Sequence, residues 1–237
     1  MQLTAPIYHL KRKAKILSRE GNIPLHEALN RIAVQEGFDG WSLLAAKTSE
    51  AAPSAKLFPR LVPGDMVLVG ARPGQGKTLM SLELAVEAMK SGNRGVFFTL
   101  EYTEKEVLER FQAIGVEREN FVGLFEFDNS DNISADYIIK RLATARPGTL
   151  VVVDYLQLLD QKRENPELMV QVRSIKAFAC DRGLIFVFIA QIDRKYDPLV
   201  KPCPDLKDVR LPNPLDLSLF TKTCFLNNGD IQFRIAG

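Results

Sequence analysis

The sequence predicts an α/β chain: a three-layer domain built on a mostly parallel sheet, preceded by a small helical N-terminal segment. Three observations carry this reading. Short, nearly continuous apolar runs rich in Val, Ile and Phe recur along the chain, and runs apolar on both faces suit strands covered on both sides. Helical patterns lie between those runs, the alternation expected of parallel strands joined by crossover helices. A glycine-rich junction, GARPGQGKTLMSLELA (Gly70–Ala85), separates the first run from the first of these helices.

Taken in order, residues 6–48 read as two or three short helices. Leu25, Ala28, Leu29, Ile32 and Ala33 fall at helical spacing, Gly37 supplies a stop, and Trp41, Leu43 and Leu44 give an apolar return. TSEAAPSAK (Thr48–Lys56) is small, polar and Pro-containing, which suits a linker. The expected division is therefore 1–56, a helical segment with its linker, and 57–237, the α/β domain. In the latter the expected strands are Met66–Ala71, Gly95–Leu100, Thr149–Leu156 and Leu184–Ala190. Helices are expected over Leu79–Ser91, Glu104–Ile114, Ala135–Ala145 and Leu168–Cys180. Two further strands, Leu217–Thr223 and Asp230–Ala236, flank the turn signal Asn227-Asn228-Gly229.

Composition bounds the function class. The 237 residues are 46% apolar and 25% charged, ordinary for a globular protein. No apolar run reaches membrane-spanning length and the N-terminus lacks a secretory core, so a cytoplasmic protein without a membrane partner is expected. Cys180, Cys203 and Cys224 are widely spaced and form no paired metal pattern, which suits reduced thiols. The net charge of +2 is too small to argue for nucleic acid by itself. Lys11, Arg12, Lys13, Lys15 and Arg19 nevertheless cluster without an acid among them, as a phosphate-contacting face or a solvated one.

The glycine-rich junction carries the chemistry. Ala71, four residues, then Gly76-Lys77-Thr78 is the phosphate-loop pattern with Ala in place of its first Gly, set between an apolar strand and a helix. Gly74 and Gly76 let successive backbone N–H groups turn toward phosphate oxygens, and the following helix adds its positive N-terminal dipole. Ala71, Arg72, Pro73, Gly74, Gln75, Gly76, Lys77, Thr78 and Leu79 are the candidate nucleotide-binding residues. Lys77 would reach the β- and γ-phosphates, with ATP as ligand, and Thr78 would ligate Mg²⁺. Asp154, closing TLVVVD, is the acidic partner for that metal. Glu101 and Gln191 end two further apolar runs on the same expected rim, where they can orient water and sense the γ-phosphate.

At these residues the chain resembles the motor domain of DnaB-type replicative helicases, a branch of the RecA-like ATPases. The likeness rests on GARPGQGKT, Thr99–Glu101, VVVDYLQLL (Val151–Leu159) and AQIDR (Ala190–Arg194), in that order. Leu206–Arg210 resembles a further short family motif. The resemblance implies a RecA-like fold, Glu101 as catalytic base, and Gln191 as the link between nucleotide state and DNA-contacting loops. It also implies single-stranded DNA as a partner, through Lys162 and Arg163 after one strand and Arg194, Lys195 and Lys201 after another, and a homo-oligomeric ring or filament. Residues 1–56 depart from the family's N-terminal domain. Its paired Lys and Arg, which enter a neighbouring subunit's site, have no clear counterpart beyond Lys222, Arg234 or Arg210. A nucleic-acid motor and a regulatory or assembly ATPase acting on a protein partner both follow.

Overall fold

The computed structural model describes residues 3–5, 7–49, 52–116, 121–211 and 213–235. The chain divides into two compact units, Met1–Ala55 and Lys56–Gly237.

The first unit contains α1 (Ile7–Glu20), α2 (Leu25–Gln35) and α3 (Trp41–Ser49). Leu10, Ala14, Ala28, Ile32, Ala33 and Leu44 form its core, with Leu17, Leu29 and Trp41 packed around them. The helices end where chemistry stops them. Gly37 adopts φ 82°, and the Phe38 N–H turns back to the Ala33 carbonyl at 2.9 Å. Asn30 Oδ1 then accepts from Trp41 N at 2.9 Å, satisfying a free donor at the start of α3. Helical backbone takes in most of the stretch read as a linker, Thr48–Lys56: α3 runs to Ser49 and α4 covers Pro53–Leu57. Glu50 and Ala51 lie outside the described residues.

The second unit is a seven-stranded sheet: β1 (Met66–Ala71), β2 (Gly95–Thr99), β3 (Phe125–Asp128), β4 (Leu150–Asp154), β5 (Ile185–Gln191), β6 (Lys222–Asn227) and β7 (Asp230–Ile235). Their spatial order is β3-β2-β4-β5-β1-β6-β7, with every pairing parallel except β6 with β7. The remaining helices are α5 (Lys77–Lys90), α6 (Glu104–Ala113), α7 (Ala135–Arg141) and α8 (Leu168–Arg182). The strand period sorts side chains to two faces. Val151, Val153, Phe186 and Phe188 meet Ile138 of α7, Leu142 just after it, and Val172 and Ile175 of α8. Val152, Val67, Val69 and Phe97 meet Leu82 and Ala85 of α5 and Val107 and Phe111 of α6. The result is the expected three layers.

Three local differences from the sequence reading have physical causes. β3 is short and interrupted by Glu126 and Asp128, which hid it. Its acids are held by Arg94, Arg141 and the Tyr137 hydroxyl at the sheet edge. The strand expected from Leu217 begins at Lys222, because Asp216 caps a 3-10 turn at Leu217–Leu219 by accepting from Ser218 N. α7 ends at Arg141 rather than Ala145. The hairpin turn forms as Asn-Gly chemistry dictates, with Asn228 at φ 50° and Gly229 at φ 92°.

Candidate functional site

Parallel pairing brings the carboxyl ends of the strands to one rim. Ala71 of β1 pairs in register with Gln191 of β5 and Leu226 of β6, while Thr99 of β2 pairs with Asp154 of β4. In open α/β sheets this rim is where ligands bind. The sequence-predicted residues Ala71, Glu101, Asp154 and Gln191 therefore do converge on one edge.

The phosphate loop leaves β1 at Ala71 and enters α5 at Lys77. Gly74 and Gly76 have φ of 78° and 87°, the region that L side chains rarely adopt. A Cβ at either position would meet nothing within 4 Å, so the loop borders open space rather than packed chain. No side chain caps the first turn of α5. Its free N–H groups and dipole face the same space, the arrangement that receives an anionic phosphate. Gly70 has a different role: a Cβ there would collide with the Phe225 ring at 2.6 Å, so the strand before the loop needs glycine to lie against β6.

Thr78 Oγ1 donates to Asp154 Oδ2 at 3.2 Å, joining helix α5 to the end of β4. Asp154 is buried, and its other oxygen, Oδ1, has no hydrogen-bond partner among the described residues. Burial, reinforced by the negative charge of Glu101, pushes the Asp154 carboxyl up to about 7, against the opposing effects of Thr78, Lys77 and Arg110. A buried carboxylate with an unused oxygen beside a threonine hydroxyl and a phosphate cradle is a hard oxygen donor set, which fits Mg²⁺. Glu101 is exposed on the rim just beyond β2, its backbone N–H donating to Thr99 Oγ1 at 3.0 Å. The neighbouring α6 starts with a capping box between Thr103 and Glu106. Its Arg110 guanidinium stacks 4.3 Å from the centre of the Tyr102 ring.

A family model described as "ATPase: KaiC" matches residues 55–202, well over half of the chain. The chain belongs to the KaiC ATPase family. Beyond the family, this KaiC-type ATPase is similar to the replicative DNA helicase DnaB of Mycoplasma genitalium, 24% identical over 183 residues covering 62% of this chain and 39% of the relative. The DNA repair protein RadA of Halalkalibacterium halodurans is 29% identical over 119 residues, covering 49% of this chain and 24% of the relative. The chain thus spans about two fifths of the length of the DnaB relatives it matches. Among solved structures, the ATPase domain of G40P superposes with a TM-score of 0.55 at 20% identity, covering 77% of this chain and 80% of the other. A DnaB-like replicative helicase, solved in a study of its interactions with primase, superposes at 0.57 and 19% identity, covering 97% and 71%. These likenesses establish the RecA-like fold, and the chain resembles a DnaB motor domain.

The KaiC-type ATPase departs from the sequence reading among its cations. Lys222 is no candidate for a neighbour's site: it is buried, pairs with Asp65, and lies beside Val67 at the end of the sheet opposite the phosphate loop. Arg234 stands on the row of Leu68 and Thr223, not on that of Ala71. Arg210 is exposed on the rim, where its N–H donates to the Gln191 carbonyl at 2.8 Å. Lys201 is held by Asp205 and Asp208 at 2.7 and 2.6 Å, and Lys162 donates to Asn132 at 2.7 Å. Arg163, Arg194 and Lys195 are exposed.

Two residues of this ATPase escaped the sequence reading. Asn228, at the tip of the β6–β7 hairpin, contacts Gln75 of the phosphate loop. Gln157, just after β4, donates to the Arg210 carbonyl at 3.0 Å, so the ends of β4 and β5 are tied through Arg210. Asn228 had the Asn-Gly turn as its signal, but nothing local says that the turn folds over the loop. Gln157 was visible only as part of the motif DYLQLL. No helix among the described residues is long and apolar enough to cross a membrane.

Proposed function

We propose that this chain is a Mg²⁺-dependent ATPase of the DnaB helicase type that acts on single-stranded DNA, as at a replication fork. The observation that carries the catalytic part is the Thr78–Asp154 hydrogen bond, with the second Asp154 oxygen unpartnered beside the glycine cradle. ATP would lie along Ala71–Leu79, its phosphates received by the loop N–H groups and Lys77. Thr78 and Asp154 would hold the metal, which neutralises charge on the β- and γ-phosphates. Glu101 would accept the proton of the attacking water, and its exposed position on the rim leaves it free to do so. Gln191 would contact the γ-phosphate, and the β5 end would transmit that contact through Arg210 and Gln157.

Single-stranded DNA would run past Arg163, Arg194 and Lys195, with Lys162 and Lys201 contributing once their present partners yield. Arg210 would be the cation that reaches a neighbouring copy in a ring or filament. The boundary, expected after residue 56 and falling after Ala55 between the two compact units, would separate the motor from an appended helical unit. ATP turnover with and without a single-stranded oligonucleotide tests the proposal. Stimulated turnover is expected; turnover indifferent to every nucleic acid tested would overturn it.

One observation favours the second reading, a regulatory or assembly ATPase that binds a protein. The loop after β5 carries Leu199 and Val200, 95% and 83% exposed, while its Lys201 is internally paired. An apolar tip of this kind suits a protein surface better than a phosphate backbone. ATPase activity unaffected by DNA but altered by Leu199→Ser would favour it.

A further inference from the structure

The basic stretch at the start of the chain has a geometry of its own. Leu10, Ala14 and Leu17 of α1 turn into the core of the first unit. The period of the helix therefore turns Arg12, Lys15 and Arg19 outward, and all three are exposed together with Lys13. From Arg12 to Arg19 the helix rises roughly 10 Å. Among the described residues, none of Arg12, Lys13, Lys15 and Arg19 lies within ion-pair distance of a carboxylate, although Lys13 feels Glu36 at longer range. By contrast Arg31 on α2 is paired with Glu27 at 2.7 Å. The stripe on α1 is therefore uncompensated where its neighbour is not.

We propose that this face of α1 is a second nucleic-acid contact, binding the phosphate backbone without reading sequence. The juxtaposition of Arg12, Lys15 and Arg19 on one exposed helical face carries it. A nucleic acid supplies the complementary regular row of negative charge, and Arg and Lys are the side chains that bind it. A membrane surface fits less well. The apolar side of α1 is already used in its own core, and among its described side chains Ile16, 47% exposed, is the one large apolar group left to enter a bilayer. The inference rests on the proposed action on nucleic acid for its partner class, but not on the ATP site.

The test uses the full chain and a fluorescent polythymidine strand, titrated over a range of salt concentrations in the absence of nucleotide. The triple variant Arg12→Gln/Lys15→Gln/Arg19→Gln changes exposed positions only. Its circular dichroism and its ATP turnover without DNA should match the wild type. Neutralising three phosphate contacts should reduce the slope of log K against log salt by about 2. An unchanged slope, with DNA-stimulated turnover intact, would overturn the α1 contact and leave the motor standing. A reduced slope in a protein whose turnover ignores DNA would keep the contact and sink the motor. Absence of any oligonucleotide binding would overturn both. Loss of binding to phosphatidylserine vesicles, with the oligonucleotide slope unchanged, would also overturn the contact and assign the stripe to membranes.

Discussion

Gln75 and Asn228 exchange hydrogen bonds across 153 positions of sequence: the Asn228 N–H donates to Gln75 Oε1 at 2.8 Å, and Gln75 Nε2 reaches Asn228 Oδ1 at 3.5 Å. The phosphate loop is thereby held from outside by the antiparallel hairpin β6–β7. A loop that must present several N–H groups at once binds better when its backbone is already fixed. Gln75→Ala removes both bonds. A net hydrogen bond is worth about 1 kcal/mol, so nucleotide affinity should fall roughly fivefold. Turnover at saturation should change little. Asn228→Gly, which keeps the turn and the stronger bond, should lie nearer the wild type. Titration with a fluorescent nucleotide and steady-state turnover separate the two effects.

Lys77→Ala should abolish measurable ATP binding, because no other cation lies within the loop Ala71–Thr78 except Arg72, whose guanidinium is turned to the Arg194 carbonyl at 3.0 Å. Calorimetric titration of the folded variant checks this. Wild-type affinity would remove the phosphates from this loop.

Glu101→Gln should leave ATP binding intact and slow hydrolysis by about a hundredfold to ten-thousandfold, the usual worth of a general base. Single-turnover measurement at saturating ATP isolates the step. Retention of turnover within a few fold would transfer the role to another acid, with Glu104 next on the rim.

Asp154 gives a pH signature. Its folded-state pKa is raised from 3.8 to about 7, so the folded protein holds this proton more tightly than the unfolded chain. The resulting stabilisation is fully present below about 4 and disappears as pH rises through about 7. Without metal or nucleotide, Asp154→Asn should therefore gain stability relative to wild type as pH rises across that window. In the wild type Mg²⁺ must displace the proton, so metal-dependent nucleotide affinity should rise up to about pH 7 and then level off. Thermal melts of both proteins over pH, with and without Mg²⁺ and nucleotide, check the two signs.

At the far end of the sheet, the buried pair of Asp65 and Lys222 is supported by Thr221 Oγ1 and Val62 N, each 2.7 Å from an Asp65 oxygen. Lys222→Met leaves a buried charge and should destabilise by about 3 kcal/mol or more, whereas Asp65→Asn/Lys222→Met should recover much of that loss. Urea unfolding measures both. Nucleotide affinity of the folded Lys222→Met protein should be unchanged, since the pair lies away from the phosphate loop.

The sequence by itself determined the layered α/β architecture and the nucleotide loop, because both are local. Val151–Val153 need burial on both faces whatever their neighbours are, and the spacing of Gly74, Gly76, Lys77 and Thr78 sets the loop before any long-range contact forms. The placement of Asp154 and Gln191 at strand ends, and of Glu101 two residues beyond β2, was legible for the same reason: parallel strands carry their carboxyl ends to one rim. Tertiary structure decided what depends on pairing over distance. Lys222 looks like any late-strand cation until β6 sets it beside Val67 and Asp65. Lys201 is basic in sequence, yet Asp205 and Asp208 neutralise it in the folded loop. The short strand Phe125–Asp128 exists because β2 offers it an edge and Arg94 and Arg141 accept its acids. The hold of Asn228 on Gln75 needs β6 to pair with β1, which brings Leu226 beside Ala71 and the hairpin tip over the loop. Local spacing specifies which groups the chain offers; only the packed sheet specifies which partner each of them meets.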